Sequence, residues 1–99
     1  MAELEVTFWR DIPALVAVHG RGRSVRREMP IRFGDAIDAV AASEGLDSPA
    51  ADASQFRTSR VEIEADDPEP EVRRLIEQLD RSYGPARLRR LVANGGREP

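Results

Sequence analysis

Residues 3–24 read ELEVTFWRDIPALVAVHGRGRS, and this stretch decides the fold. From Glu3 to Trp9 the apolar Leu4, Val6 and Phe8 alternate with Glu5 and Thr7, the period of two that a half-buried strand requires. Asp11 and Pro13 follow at once, and because Pro fixes φ while Asp bonds to nearby backbone, Arg10 to Pro13 reads as a tight turn. Ala14 to His19 is a second, Val-rich run, and Gly20-Arg21-Gly22-Arg23-Ser24 supplies the glycines of a second hairpin loop. A polar third strand over Ser24 to Glu28 completes the meander.

Working outward, the period changes. Pro30 suits a first helical turn, and Phe33, Ile37, Val40 and Ala41 recur at helical spacing until Gly45 stops the run. Asp47 to Phe56 shows no clean stripe and reads as a loop or a short helix. Arg60 to Glu64 alternates charge with Val61 and Ile63, which predicts a fourth strand suited to an exposed sheet edge. Asp67-Pro68 is a cap and first-turn pair for a helix whose stripe is Val72, Leu75, Ile76, Leu79 and Tyr83. Glu69 with Arg73 and Glu77 with Arg81 stand at ion-pair spacing on it, and Gly84, as a left-handed cap, with Pro85 ends it. A last helix over Pro85 to Ala93 offers Leu88, Leu91 and Val92, and Asn94-Gly95-Gly96 closes it. The order β-β-β-α-β-α-α predicts an α+β fold, a mainly antiparallel sheet of three to four strands with amphipathic helices packed on it. One domain over residues 1–94 is expected, with a disordered tail at 95–99.

The chain has 99 residues, 40% of them hydrophobic, enough for one core that buries roughly 60–65% of the unfolded chain's surface. All 15 basic residues are Arg, and 18 acids bring the net charge to −3, which disfavours a general nucleic-acid or anionic-membrane binder. The absence of Cys excludes disulfides, thiolate metal sites and a Cys nucleophile. The acidic opening MAELEV is unlike a signal peptide and no apolar run spans a membrane, so a cytoplasmic location is expected.

Strict alternation turns Trp9 away from Leu4, Val6 and Phe8, onto an outer face shared with Leu15 and Ala17. Two covers fit such an apolar patch: the last helix, or a partner for which Trp9 serves as anchor. Arg10 and Asp11 in the adjoining turn suit a local ion pair or Asx turn, or else Arg10 presents its fork to a ligand carboxylate or phosphate. Arg21, Arg23, Arg26 and Arg27 read as solvated hairpin charges, or as an anion clamp on phosphates. That loop is not a dinucleotide fingerprint, since Val25 stands where the third Gly is needed. His19 is the only His and lacks the partners of a metal site, so no metal or cofactor is expected. The Ser residues form no nucleophile elbow, and no catalytic residue is assigned.

Phe8-Trp9-Arg10-Asp11-Ile12-Pro13-Ala14, Pro30-Ile31-Arg32-Phe33 with Ala36-Ile37-Asp38, and Tyr83-Gly84-Pro85-Ala86-Arg87-Leu88 resemble a family of small bacterial proteins called virulence factors. Where members carry a Trp-Arg pair after the first helix, this chain has Phe56-Arg57. The family name describes an association with pathogenicity and brings no catalytic residues; the resemblance also implies a link to one-carbon and methyl-transfer enzymes. Together these readings predict a non-enzymatic protein-association module, a homo-oligomer or an accessory subunit, contacting its partner through Trp9, Arg10, Asp11 and Leu15. The alternative is a nucleic-acid or phosphate-ligand binder using Arg21 to Arg27.

Overall fold

A computed structural model of the chain describes residues 1–46 and 52–99. Strand β1 (Ala2–Trp9) pairs antiparallel with β2 (Ile12–Gly20), placing Leu4 opposite Val18 and Val6 opposite Val16. Cross-strand apolar pairs of this kind fix the register, because a one-residue slip would turn every one of them outward. Strand β3 (Arg23–Glu28) continues the meander and sets Val25 against Val18. Strand β4 (Phe56–Ile63) pairs antiparallel with the free side of β1, so the sheet runs β3-β2-β1-β4 and β4 is an edge, as its charge alternation predicts. β4 begins at Phe56 rather than Arg60, because pairing with Thr7, Phe8 and Trp9 holds Phe56 to Thr58 extended.

Helices α1 (Ile31–Ser43), α2 (Pro68–Ser82) and α3 (Pro85–Ala93) follow the order expected. The expected loop or short helix from Asp47 lies mostly outside the described residues. α2 lies over β2 and β3, α1 against β2 and α3, while β4 packs closely only on β1. The core is built from Val16, Val18, Val25, Phe33, Val72, Leu88 and Leu91. Leu4 and Val6, nearer β4, are only half-buried there.

Helix ends differ from expectation in instructive ways. Asp67 caps α2, its carboxylate accepting from the Glu69 N–H at 3.1 Å, as predicted. The α2 C-terminus is not closed by a left-handed Gly84, which sits at φ −63° and opens α3 instead. The orphan carbonyls there are taken by Arg32, whose Nη2 donates to the Asp80 and Tyr83 carbonyls at 2.8 Å each and to the Asp80 carboxylate at 2.7 Å. The expected Glu69–Arg73 and Glu77–Arg81 pairs do not form: Glu69 turns to Arg23 and Arg27, and the ion pair on the helix is Glu71–Arg74.

Candidate functional site

The β1–β2 turn consists of Arg10 and Asp11, with Arg10 at φ 55°, a left-handed conformation that is costly for a residue with a side chain. What holds it there is a set of contacts to three distant segments. The Arg10 N–H donates to the Gln55 carbonyl at 2.9 Å, and Nε donates to Gln55 Oε1 at 3.0 Å. The guanidinium fork grips both oxygens of Glu44 at 2.6 and 2.8 Å, and Nη1 also donates to the Gly95 carbonyl at 2.7 Å. The hydrogen bond to Glu44 raises the Arg10 pKa, and the same contact lowers that of Glu44.

Trp9 is fully buried at 0% exposure, so it is not an exposed anchor on an outer face. Nor does α3 cover it: Leu88 and Leu91 pack in the main core with Val16 and Val18. Its indole Nε1 donates to Asp52 Oδ1 at 2.9 Å, the Arg10 guanidinium stacks 4.8 Å from the ring, and Gly96 closes the far side. A Cβ on Gly96 would stand 3.1 Å from the ring, at a residue whose φ is 78°. The pairing of β1 with β4 runs unshifted through Trp9, and the burial of Trp9 comes from these covers, Asp52, Arg10 and Gly96, rather than from a partner or the last helix.

Asp11 makes no pair with Arg10. Its carboxylate accepts from the Glu98 N–H at 2.7 Å and from Arg57 at 3.1 Å, contacts that lower its pKa, the backbone bond foremost. The Asp11 N–H donates to the Gly96 carbonyl at 2.9 Å, and Glu98 pairs with Arg87 at 2.8 Å. Residues 95–98, expected to be disordered, are thus tied onto the β1–β2 turn. Trp9, Arg10, Asp11 and the tail form a closed latch whose binding groups are satisfied within the chain.

The four hairpin arginines are all exposed but are not gathered into a clamp. Arg23 lies 3.7 Å from Asp67 and 3.6 Å from Glu69, and Arg27 lies 2.9 Å from Glu69, so acids at the start of α2 neutralise both. Arg21 and Arg26 make no ion pair among the described residues. Arg26 and Arg27 fall on opposite faces of β3, opposite Ala17 and Val16 respectively.

None of α1, α2 and α3 covers the other face of the sheet, and the register lays out its rows. Ser24, His19, Glu3 and Glu62 form one row across the strands; Arg26, Ala17, Glu5 and Arg60 the next; Glu28, half-buried Leu15, Thr7 and Thr58 the third. His19 Nε2 stands 3.2 Å from Glu5 Oε2 and its Nδ1 2.9 Å from Ser24 Oγ. Burial acts to raise the Glu5 pKa, but hydrogen bonds from Arg60 and His19 outweigh it and the net shift is downward. The ligand atoms of Glu3, Glu5 and His19 lie within 4.8 Å of one another, a donor set missed in the sequence because the partners are cross-strand and not at helical spacing. Arg60 already supplies positive charge there, 3.1 Å from Glu5 and 3.6 Å from Glu3. Ser24, His19 and Glu5 also stand in a hydroxyl–imidazole–carboxylate line, on an open sheet surface. The larger cavities lie elsewhere: about 530 Å³ between α1 and α3, walled by Ala36, Leu88 and Val92 with Arg32 and Arg89 on its rim, and about 480 Å³ beside Met29 and Phe56.

Among the described residues, fold and surface together define a small two-layer α+β domain, with α1, α2 and α3 on one sheet face, a largely polar face on the other and an exposed edge strand, β4. The chain belongs to the Virulence factor family, whose model matches residues 7–92. Neither a comparison with curated proteins nor one with solved structures returns a match. The residues that carry the resemblance serve the fold. Trp9, Ile12 and Pro13 are buried, Arg10 and Asp11 build the latch, Arg32 closes α2, and Phe33 meets Tyr83 edge-on at 6.2 Å. No helix among the described residues is long and apolar enough to cross a membrane.

Proposed function

We propose that this chain is a non-enzymatic association domain whose contact surface is β4 with the adjoining open face of the sheet, and not the Trp9 end of the molecule. The observation that carries the reading is the state of β4. Seven of its eight residues are exposed, including Val61 at 58% and Phe56 at 43%, and its outer backbone edge faces solvent. A strand of this kind presents a row of unpaired N–H and C=O groups, the usual template for adding another strand. The open face argues against catalysis: its Ser24–His19–Glu5 line borders neither of the two cavities described above, where water could be excluded and oxyanion donors placed. The nucleic-acid alternative is weakened by the acids that hold Arg23 and Arg27.

A second copy and a larger enzyme to which the chain is an accessory subunit would both use this edge; the family resemblance adds one-carbon enzymes as the class for the latter. The test is crosslinking in host cells of tagged wild-type chain beside Val61→Lys, an exposed position where substitution leaves the fold intact. The expected result is a stoichiometric crosslinked product that the variant loses. A product retained by the variant, or none from either chain, overturns the reading.

A further inference from the structure

We infer that the occupant of the β4 edge is β4 of a second copy, paired antiparallel about a two-fold axis through Val61, so that the two four-stranded sheets become one. The inference rests on the association reading and deepens it by naming partner and register. A two-fold axis perpendicular to the sheet keeps the helices of both copies on one side, and residues opposite each other must share a face. That leaves axes through Ser59, Arg60 or Val61 as the central choices. An axis through Arg60 sets Arg60 directly against its own copy, which like charge disfavours. An axis through Ser59 sets Arg57 against Val61 and Thr58 against Arg60, with no complementary pair. The axis through Val61 sets Val61 on Val61 and, by symmetry, Arg60 on Glu62 twice.

Three features of the single chain fit that register. Glu62 lies directly opposite Glu3 on β1 and makes no ion pair among the described residues, so one acid is left beside another without a cation of its own. Arg60 of the second copy would supply it. Val61 is the most exposed apolar side chain of β4, and it stands on the helix side, opposite the half-buried Leu4. The helices lie over β2 and β3 and leave β4 bare, so two copies joined there bring their helical layers toward a gap and not into collision. The charges that would otherwise protect an edge strand from promiscuous pairing here select one register.

The native chain has no Cys, so an introduced thiol is unique. In this register the two copies of residue 61 have Cα atoms about 4.5–5.5 Å apart, within disulfide reach, whereas the two copies of residue 59 are about 13 Å apart. Val61→Cys should therefore form an intermolecular disulfide under mild oxidation at micromolar to sub-millimolar concentration, and Ser59→Cys should not. Sedimentation equilibrium of Glu62→Arg should show dimerisation weakened at least tenfold, although that Arg meets Glu3 within its own chain and leaves the monomer folded by circular dichroism. Mixing Glu62→Arg with Arg60→Glu should restore a dimer, since the pairs of opposite charge are then rebuilt between unlike chains. Equal crosslinking of both Cys variants, or a dimer indifferent to Glu62→Arg, overturns the register. A wild-type chain that is monomeric throughout, yet whose crosslinked complex with another protein is lost in Val61→Lys, overturns the second copy as occupant and leaves the association reading standing. A monomer with no edge-dependent complex overturns both.

Discussion

Replacing Trp9 by Ala removes the largest fully buried side chain of the molecule from a site with 0% exposure. A Trp buries about 150–250 Å². At about 25 cal/mol per Å² that is about 4–6 kcal/mol, and allowing for burial already present in the unfolded chain brings it to about 3–5 kcal/mol. This agrees with the usual cost of deleting a buried Trp, about 3–5 kcal/mol, because the Asp52 and Gly96 walls are fixed by their own segments and close the void only in part. For a domain whose whole stability is about 5–15 kcal/mol the variant sits near unfolding. Each kcal/mol moves the midpoint of a domain this size by about 4–8 °C, so a fall of roughly 12–40 °C is expected. Trp9→Phe keeps most of the apolar contact and loses the Nε1–Asp52 bond at 2.9 Å, so it should cost about 1–2 kcal/mol. Both are read by far-ultraviolet circular dichroism during heating, since the variants lack the only Trp and give no indole signal. A Trp9→Ala protein melting within about 5 °C of wild type, together with wild-type indole emission freely quenched by acrylamide, would refute the closed latch and return Trp9 to the surface.

Removing residues 95–99 should shift Trp9 emission to the red and increase its quenching, because Gly96 is the wall of the indole site and its carbonyl holds the turn. Arg10→Lys keeps the charge but loses the fork, and with it the bonds to the Gly95 carbonyl and Gln55 Oε1; a loss of about 1–2 kcal/mol in urea unfolding is expected from a side chain only 10% exposed. Asp11 has its pKa depressed in the folded state, chiefly by the Glu98 N–H and also by Arg57, so its contribution is complete above the ordinary carboxylate range and disappears as pH falls through the lowered value. Melting curves taken from about pH 5 downward should show the acid loss of stability reduced in Asp11→Asn, and an unchanged acid limb would count against the contact.

Elements whose signal is local were legible in the chain: the period of two in β1 and β2, the stripe and Asp67 cap of α2, and the Pro85 start of α3 all appear where the pattern put them. What failed depended on residues far away in sequence. Trp9 was expected to be an exposed anchor because its covers, Asp52 and Gly96, come from segments that no local pattern connects to β1. Gly84 looked like a left-handed cap, yet Arg32, from α1, took the carbonyls that such a cap would have served. The His19–Glu5 contact was within reach of the sequence, since the same alternation puts both on the open face; only the pairing of Glu3 with His19 was needed to bring them together.

The exclusive use of Arg acquires a physical meaning from three places in the fold. Arg10 donates to the Gly95 carbonyl while gripping Glu44, Arg32 donates to the Asp80 and Tyr83 carbonyls while pairing with Asp80, and Arg87 donates to the Ser82 carbonyl while pairing with Glu98. Each guanidinium satisfies a carbonyl at or beyond a helix end and a carboxylate at the same time, which a planar group with five donors does and a single ammonium does poorly. Each also lies against the aromatic ring next to it in the fold, Trp9, Phe33 and Tyr83 respectively. These three of the 15 Arg therefore serve the fold, and their charge is met by a carboxylate within the chain. At the β4 edge the exposed Val61 and Glu62, which makes no ion pair among the described residues, are the groups on which the proposed pairing rests.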